Sequence, residues 1–136
     1  MDTAWNLATD LVRIDSSDPG AYEGRIEQHI KSLVEARIAK MPVKLAAAVG
    51  VEELEALPDR RNLMVTVPGT SDEPRLVYIC HMDTVTLGEG WSEGISPLGA
   101  QVIGDDLYGR GSCDMKGGLS CALSALFSLL GRVAGE

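Results

Sequence analysis

Basic clusters are what this sequence most plainly lacks. Twelve Lys and Arg stand against twenty Asp and Glu, giving a formal charge of −8 and a pI near 4.7, and no stretch gathers the cations. Nucleic acid or an anionic membrane surface would demand such a gathering, so neither is expected as a partner. Cysteine is scarce as well. Cys80, Cys113 and Cys121 are an odd number without repeated spacing, which excludes a disulfide framework and leaves reduced thiols. Histidine is rarer still, at two residues, His29 and His81. Long apolar runs are also missing. The least polar stretch, LSCALSALFSLL at 119–130, falls short of the roughly 20 residues that cross a bilayer. The start, MDTAWNLATD, lacks the basic segment and apolar run of a signal peptide. A soluble, cytoplasmic protein is expected, with no internal repeat and no low-complexity segment.

What is present suffices for a core, since 45% of the 136 residues are hydrophobic. Ala4, Leu7, Ala8, Leu11 and Val12 recur at helical spacing behind Thr3, a candidate N-cap, until SSDPG at 16–20 breaks the pattern. Ile26, Ile30, Leu33, Val34 and Ile38 predict a second helix that ends before Pro42. VKLAAAVGV at 43–51 suits a strand or a helix, and the reading adopted is a strand followed by a short helix or turn. NLMVTV at 62–67 and RLVYIC at 75–80 are strand candidates, and their weak alternation suits strands covered on both faces. LGEGWSEGISPLGA reads as loop, and QVIGDDLYGRG as a hairpin about Gly104-Asp105-Asp106. A last helix runs from about Met115 to Leu130. Helices and apolar strands in this mixture predict an α/β layered domain.

Two stretches carry candidate chemistry. In YICHMDTV, His81 follows the most apolar strand candidate, and open α/β sheets gather ligands outside the carboxyl ends of their strands. In an extended chain His81 and Asp83 share a side while Cys80 faces away. A carboxylate beside an imidazole fixes its tautomer and raises its basicity, as partners of metal-bound histidines do; a surface or structural imidazole is the competing reading. In GRGSCDMKGG, Asp114 stands at a loop-to-helix junction among four glycines. A phosphate loop fails here, because Lys116 is followed by Gly117 instead of Ser or Thr and no glycine directly precedes it. A helix-capping aspartate is the plain alternative. Glu52-Glu53 reads as solvated surface in a helix-like polar stretch, and His29 as structural. A Cys/His zinc site at Cys80 or Cys113 lacks both the facing and a CxxC spacing.

Together, HMDTV and GRGSCDMKGG, with LVRIDSSDPG near the start and Trp91 and SPLGAQVIGDDLYGRG between them, resemble the acetylornithine deacetylase, succinyl-diaminopimelate desuccinylase, aminoacylase and carboxypeptidase family of di-zinc hydrolases. The resemblance implies a three-layer α/β/α zinc-exopeptidase-like sheet, incomplete here. Residues 1–136 would be the N-terminal portion of the catalytic domain, without its C-terminal half or the lid and dimerisation domain. It implies two Zn2+ ions, with Co2+ as an alternative. His81 would bind one metal, with Asp83 as the catalytic-site carboxylate holding the imidazole from behind. Asp114 would bridge both metals, its peptide bond to Met115 cis. Two metals lower the pKa of a shared water and polarise a carbonyl. The implied activity is cleavage of an N-acyl or peptide bond next to a free carboxylate, in a small N-acyl amino acid or peptide.

The sequence departs from this family in lacking the Glu-Glu base and ligand pair that follows the bridging aspartate, together with the later acidic and histidine ligands. The chain alone is therefore expected to be inactive. A non-catalytic truncated module, or one half of a split enzyme completed by another chain, are the alternative readings. An uncovered sheet edge and apolar helix face would favour self-association unless a complementing C-terminal segment covers them.

Overall fold

A computed structural model describes residues 3–71, 73 and 76–135 of the chain. Its first element is set by a local cap. Thr3 is extended and its hydroxyl accepts the Asn6 N–H at 3.2 Å, opening α1 (Ala4–Val12), which buries Leu7, Ala8, Leu11 and Val12. Helix α2 (Gly24–Ile38) buries Ile26, Ile30 and Val34 on one stripe. Helix α4 (Gly117–Ala134) buries Leu119, Leu123, Phe127 and Leu130, and stops at Gly135, whose φ of +89° suits a residue without Cβ. These three stripes meet in one core that also takes in Met41.

Among the described residues the strands form two separate antiparallel ribbons. β1 (Gly50–Leu57) pairs with β2 (Arg60–Thr66), placing Gly50 opposite Thr66 and Val51 opposite Val65, with an irregularity between Glu55 and Leu57. Val51, Leu63 and Val65 lean on the helical core. β3 (Gln101–Ile103) and β4 (Asp106–Tyr108) make the hairpin predicted about Gly104-Asp105-Asp106, with Asp106 already in the second strand and Gly104 at φ +62°.

The mixed helix and strand content agrees with the α/β expectation, but several details differ from the sequence reading. Residues 43–51 reverse the expected order. Pro42 opens a short helix, α3 (Val43–Ala46), its carbonyl accepting from the N–H groups of Leu45 and Ala46, and the strand follows from Gly50. The run is too short for periodicity to decide, and its alanines favour the helix. Glu52 and Glu53 consequently lie on a strand. Glu53 is not plain solvated surface, because it takes hydrogen bonds from Lys31 at 2.5 Å and Gln28 at 2.8 Å. Strand β2 is not covered on both faces either, since its residues alternate between half-buried and exposed over Leu63–Thr66.

RLVYIC fares differently again. Arg75 lies outside the described residues, and residues 76–80 pair with no strand among those described. Leu76, Val77, Tyr78 and Ile79 are 65–90% exposed. Strand propensity measures fit to a pleated surface with neighbours to pack on, and the described residues place none there. Two ribbons therefore stand where one layered sheet was expected. The last helix also runs longer than predicted. With the turn before it, Ser112–Ala134 is long and apolar enough by length and composition to cross a membrane, contrary to the estimate from residues 119–130, while its apolar stripe packs on α1 and α2.

Candidate metal centre

Two arms of chain build the site. In the first, residues 80–84 run extended, so side chains alternate: Cys80 and Met82 pack toward the core, while His81 and Asp83 line an open cleft of about 390 Å³. The imidazole is held from one side, its Nδ1 lying 3.0 Å from the Asp83 carbonyl oxygen and 3.3 Å from Asp83 Oδ1.

The second arm is the turn Ser112–Lys116 ahead of α4. Gly111 enters it at φ +84°, and Asp114 and Met115 leave helical geometry, with the peptide bond between them cis. The Asp114 carboxylate lines the same cleft. Its Oδ1 lies 2.8 Å from His81 Nε2, and its side chain is 86% exposed. The arms also touch through their backbones, the His81 N–H donating to the Met115 thioether at 3.3 Å.

Both imidazole nitrogens thus face oxygen. The Asp114 carboxylate above all, then the Asp83 carbonyl and both acidic charges, raise the His81 pKa above its ordinary value against a desolvation that lowers it. The wall of the cleft is clipped by Arg110, whose guanidinium lies 5.2 Å from the Trp91 ring and donates to the Leu87 carbonyl at 2.9 Å, an oxygen that Trp91 Nε1 also reaches at 2.9 Å.

All three residues singled out in the sequence, His81, Asp83 and Asp114, therefore meet at one cleft. His29 is half-buried on α2 with Nε2 unpartnered among the described residues, and Glu53 belongs to the ribbon. Sequence reasoning missed the residues beneath the site. Lys116 is buried at 1% exposure, burial pushing its ammonium pKa down to about 8 against the opposing pull of Asp15, and its Nζ donates to the Ile14 carbonyl at 2.6 Å. Ser16, fully buried, donates from Oγ to the Met82 carbonyl at 2.8 Å. Nothing near either residue in sequence marks the distant carbonyl that it reaches.

Comparison with known proteins bears on the same segments. Residues 77–132, which hold both arms, match the family described as peptidase family M20/M25/M40. A succinyl-diaminopimelate desuccinylase of Methylobacterium radiotolerans is 36% identical over 132 residues, covering 96% of this chain and 31% of that protein. The chain belongs to peptidase family M20/M25/M40. Succinyl-diaminopimelate desuccinylases of Methylorubrum populi and Gluconobacter oxydans match this chain at 43% over 75 residues and 47% over 53, covering 55% and 39% of it and 19% and 13% of themselves. The chain spans about a third or less of the length of these curated relatives. No solved structure matches it.

M20 proteins are hydrolases, metal-dependent and generally zinc-using. The donors present can be tested against that. His81 Nε2 and an Asp114 oxygen are both of kinds that zinc takes, and they face one another at 2.8 Å. Among the described residues no group of three or more His, Cys, Asp and Glu could hold a metal. The pair fits part of a zinc ligand set and does not complete one.

Proposed function

We propose that this chain is the N-terminal portion of the catalytic domain of a zinc-dependent amide hydrolase, acting on a small N-acyl amino acid or peptide next to a free carboxylate. The supporting observation is the 2.8 Å approach of His81 Nε2 to Asp114 Oδ1, with Asp83 behind the ring. In this reading His81 is a ligand of one metal, Asp114 a bridging ligand, and Asp83 the carboxylate that holds the imidazole in its ligating tautomer. Bound metal would supply an activated water and polarise the carbonyl. Hydrolysis then adds water across the amide C–N bond, yielding a carboxylate and an amine. The desuccinylase names of its relatives make an N-succinyl amino acid the first substrate to try. The ribbons and helices of the described residues would belong to a three-layer α/β/α sheet completed by other residues, which would also bring the remaining metal donors and the general base. A cytoplasmic location suits the three free thiols.

Zinc or cobalt titration against a competing chromophoric chelator tests the ligand assignment. The chain should bind the metal, His81→Ala or Asp114→Asn should abolish this, and Asp83→Asn should weaken it about 10- to 100-fold. Equal affinity in the wild type and His81→Ala would refute the site. The incomplete donor set also gives weight to a chain that needs a complementing partner. Turnover of an N-succinyl amino acid by these 136 residues alone would overturn that part of the reading.

A further inference from the structure

The short connection between α1 and α2 touches both arms of the site. Toward the first arm, Ser16 Oγ donates to the Met82 carbonyl at 2.8 Å, the Thr84 N–H donates to the Ser16 carbonyl at 3.0 Å, and the Asp18 N–H donates to the Thr84 carbonyl at 2.8 Å. Ser17 and Thr84 form an isolated parallel bridge there. Toward the second arm, the Ile14 carbonyl accepts the Lys116 ammonium at 2.6 Å. Lys116 is fastened at its backbone as well: its N–H donates to the Gly111 carbonyl at 2.8 Å and its carbonyl accepts from Ser120 Oγ at 2.6 Å. Ser16, Ser17, Thr84 and Lys116 are all at most 4% exposed.

Lysine is almost never buried this deeply without a partner, and an apolar side chain of similar length would fill the same space at lower desolvation cost. The ammonium is therefore explained by where it ends, on the segment that also grips residues 82–84. The tethers lie next to the residues that meet in the cleft, Met82 following His81 and Lys116 two places beyond Asp114. We infer that Ser16 and Lys116 are positioning residues: through the 14–18 connection they set the separation of the His81 imidazole and the Asp114 carboxylate. This deepens the proposed metal site and rests on it for its functional meaning, although the geometry it describes exists without metal.

The test reads the His81 ring by 15N NMR in metal-free protein at one fixed pH. The chain has two histidines, so His29 serves as internal reference. Lys116→Met keeps the aliphatic stem and removes the donor; Ser16→Ala removes the other tether. Leu123→Ala, in the core stripe of α4, supplies a loss of stability without touching either tether. Both tether variants should shift the His81 Nε2 signal and leave His29 in place, whereas Leu123→Ala should leave His81 unmoved. Unchanged His81 signals in the tether variants, or an equal shift in Leu123→Ala, would overturn the inference. If Lys116→Met does not fold, Ser16→Ala decides in the same terms. Zinc affinity, read separately, should fall about tenfold or more in each tether variant. A wild type that binds no zinc would defeat the metal reading while the ring signals still judge the tethers.

Discussion

Replacing Gly111 by alanine should separate two costs that the structure places on one residue. Gly111 sits at φ +84°, just ahead of the turn that carries Asp114. An added Cβ would lie 2.6 Å from Thr84 Cγ2 and 3.0 Å from Lys116 Cδ. These neighbours are 3% and 1% exposed, so neither has open space into which to retreat. The left-handed backbone costs a residue with a Cβ about 1–2 kcal/mol, and overpacking a filled site adds about 1–3 kcal/mol. Gly111→Ala should therefore cost about 2–5 kcal/mol in total. Gly90 offers the matched control: its φ is +77°, and nothing lies within 4 Å of its added Cβ, so Gly90→Ala should show the backbone cost alone. Urea unfolding followed by circular dichroism, with m-values compared, measures both. A Gly111→Ala cost no greater than that of Gly90→Ala would refute the close packing of Thr84 and Lys116 over Gly111. Thr84 belongs to one arm of the site and Lys116 to the other, so the same methyl group should also drive His81 and Asp114 apart and weaken metal binding in Gly111→Ala only.

Three further outcomes are expected. Thr3→Ala removes the acceptor for the Asn6 N–H and should lower stability by about 1 kcal/mol in thermal unfolding; no change would mean the α1 cap is not formed in solution. Leu11→Ala empties a fully buried position where α1 meets α4 and should cost about 2–5 kcal/mol by chemical denaturation, a loss under 1 kcal/mol arguing against that core. Glu27 is 1% exposed, with Oε1 unpartnered among the described residues, and desolvation raises its carboxyl pKa above 4.5. The folded state then keeps a proton that the unfolded state has lost, so Glu27 makes stability decline as pH rises from about 4.5 through the folded pKa. Glu27→Gln should flatten that decline in unfolding free energies measured across the mildly acidic range, and an identical slope in wild type and variant would assign it to other groups.

What could be read in the sequence was what depends on near neighbours along the chain. Helix α1 follows from a cap three residues from its partner and a stripe repeating every three or four positions. The hairpin at 101–108 follows from a tight Gly-Asp turn between extended arms. The stretch 43–51 failed because a short apolar run has no period to read, and Pro42 with the following alanines settled it as helix before strand. RLVYIC failed for a different reason. Its composition states what surroundings a strand of that kind would pack in, and the described residues do not supply them, leaving Ile79 90% exposed.

The site divides along the same line. Alternation in an extended chain put His81 and Asp83 on one side and Cys80 on the other, and this holds in the structure. The meeting of His81 with Asp114 was reached only through the family resemblance, because no local rule brings residues 33 positions apart to 2.8 Å. The tethers lie further still from anything local: Ser16 reaches across 66 positions to Met82, and Lys116 across 102 to Ile14. Lys116 fits no phosphate-loop motif, and a lysine in a glycine-rich turn gives no sign in the sequence of where its four-carbon stem will end. Ligating atoms can be recognised by their chemistry, whereas the residues that hold them at a working distance are ordinary in type and distinguished only by burial and by the carbonyl each one reaches.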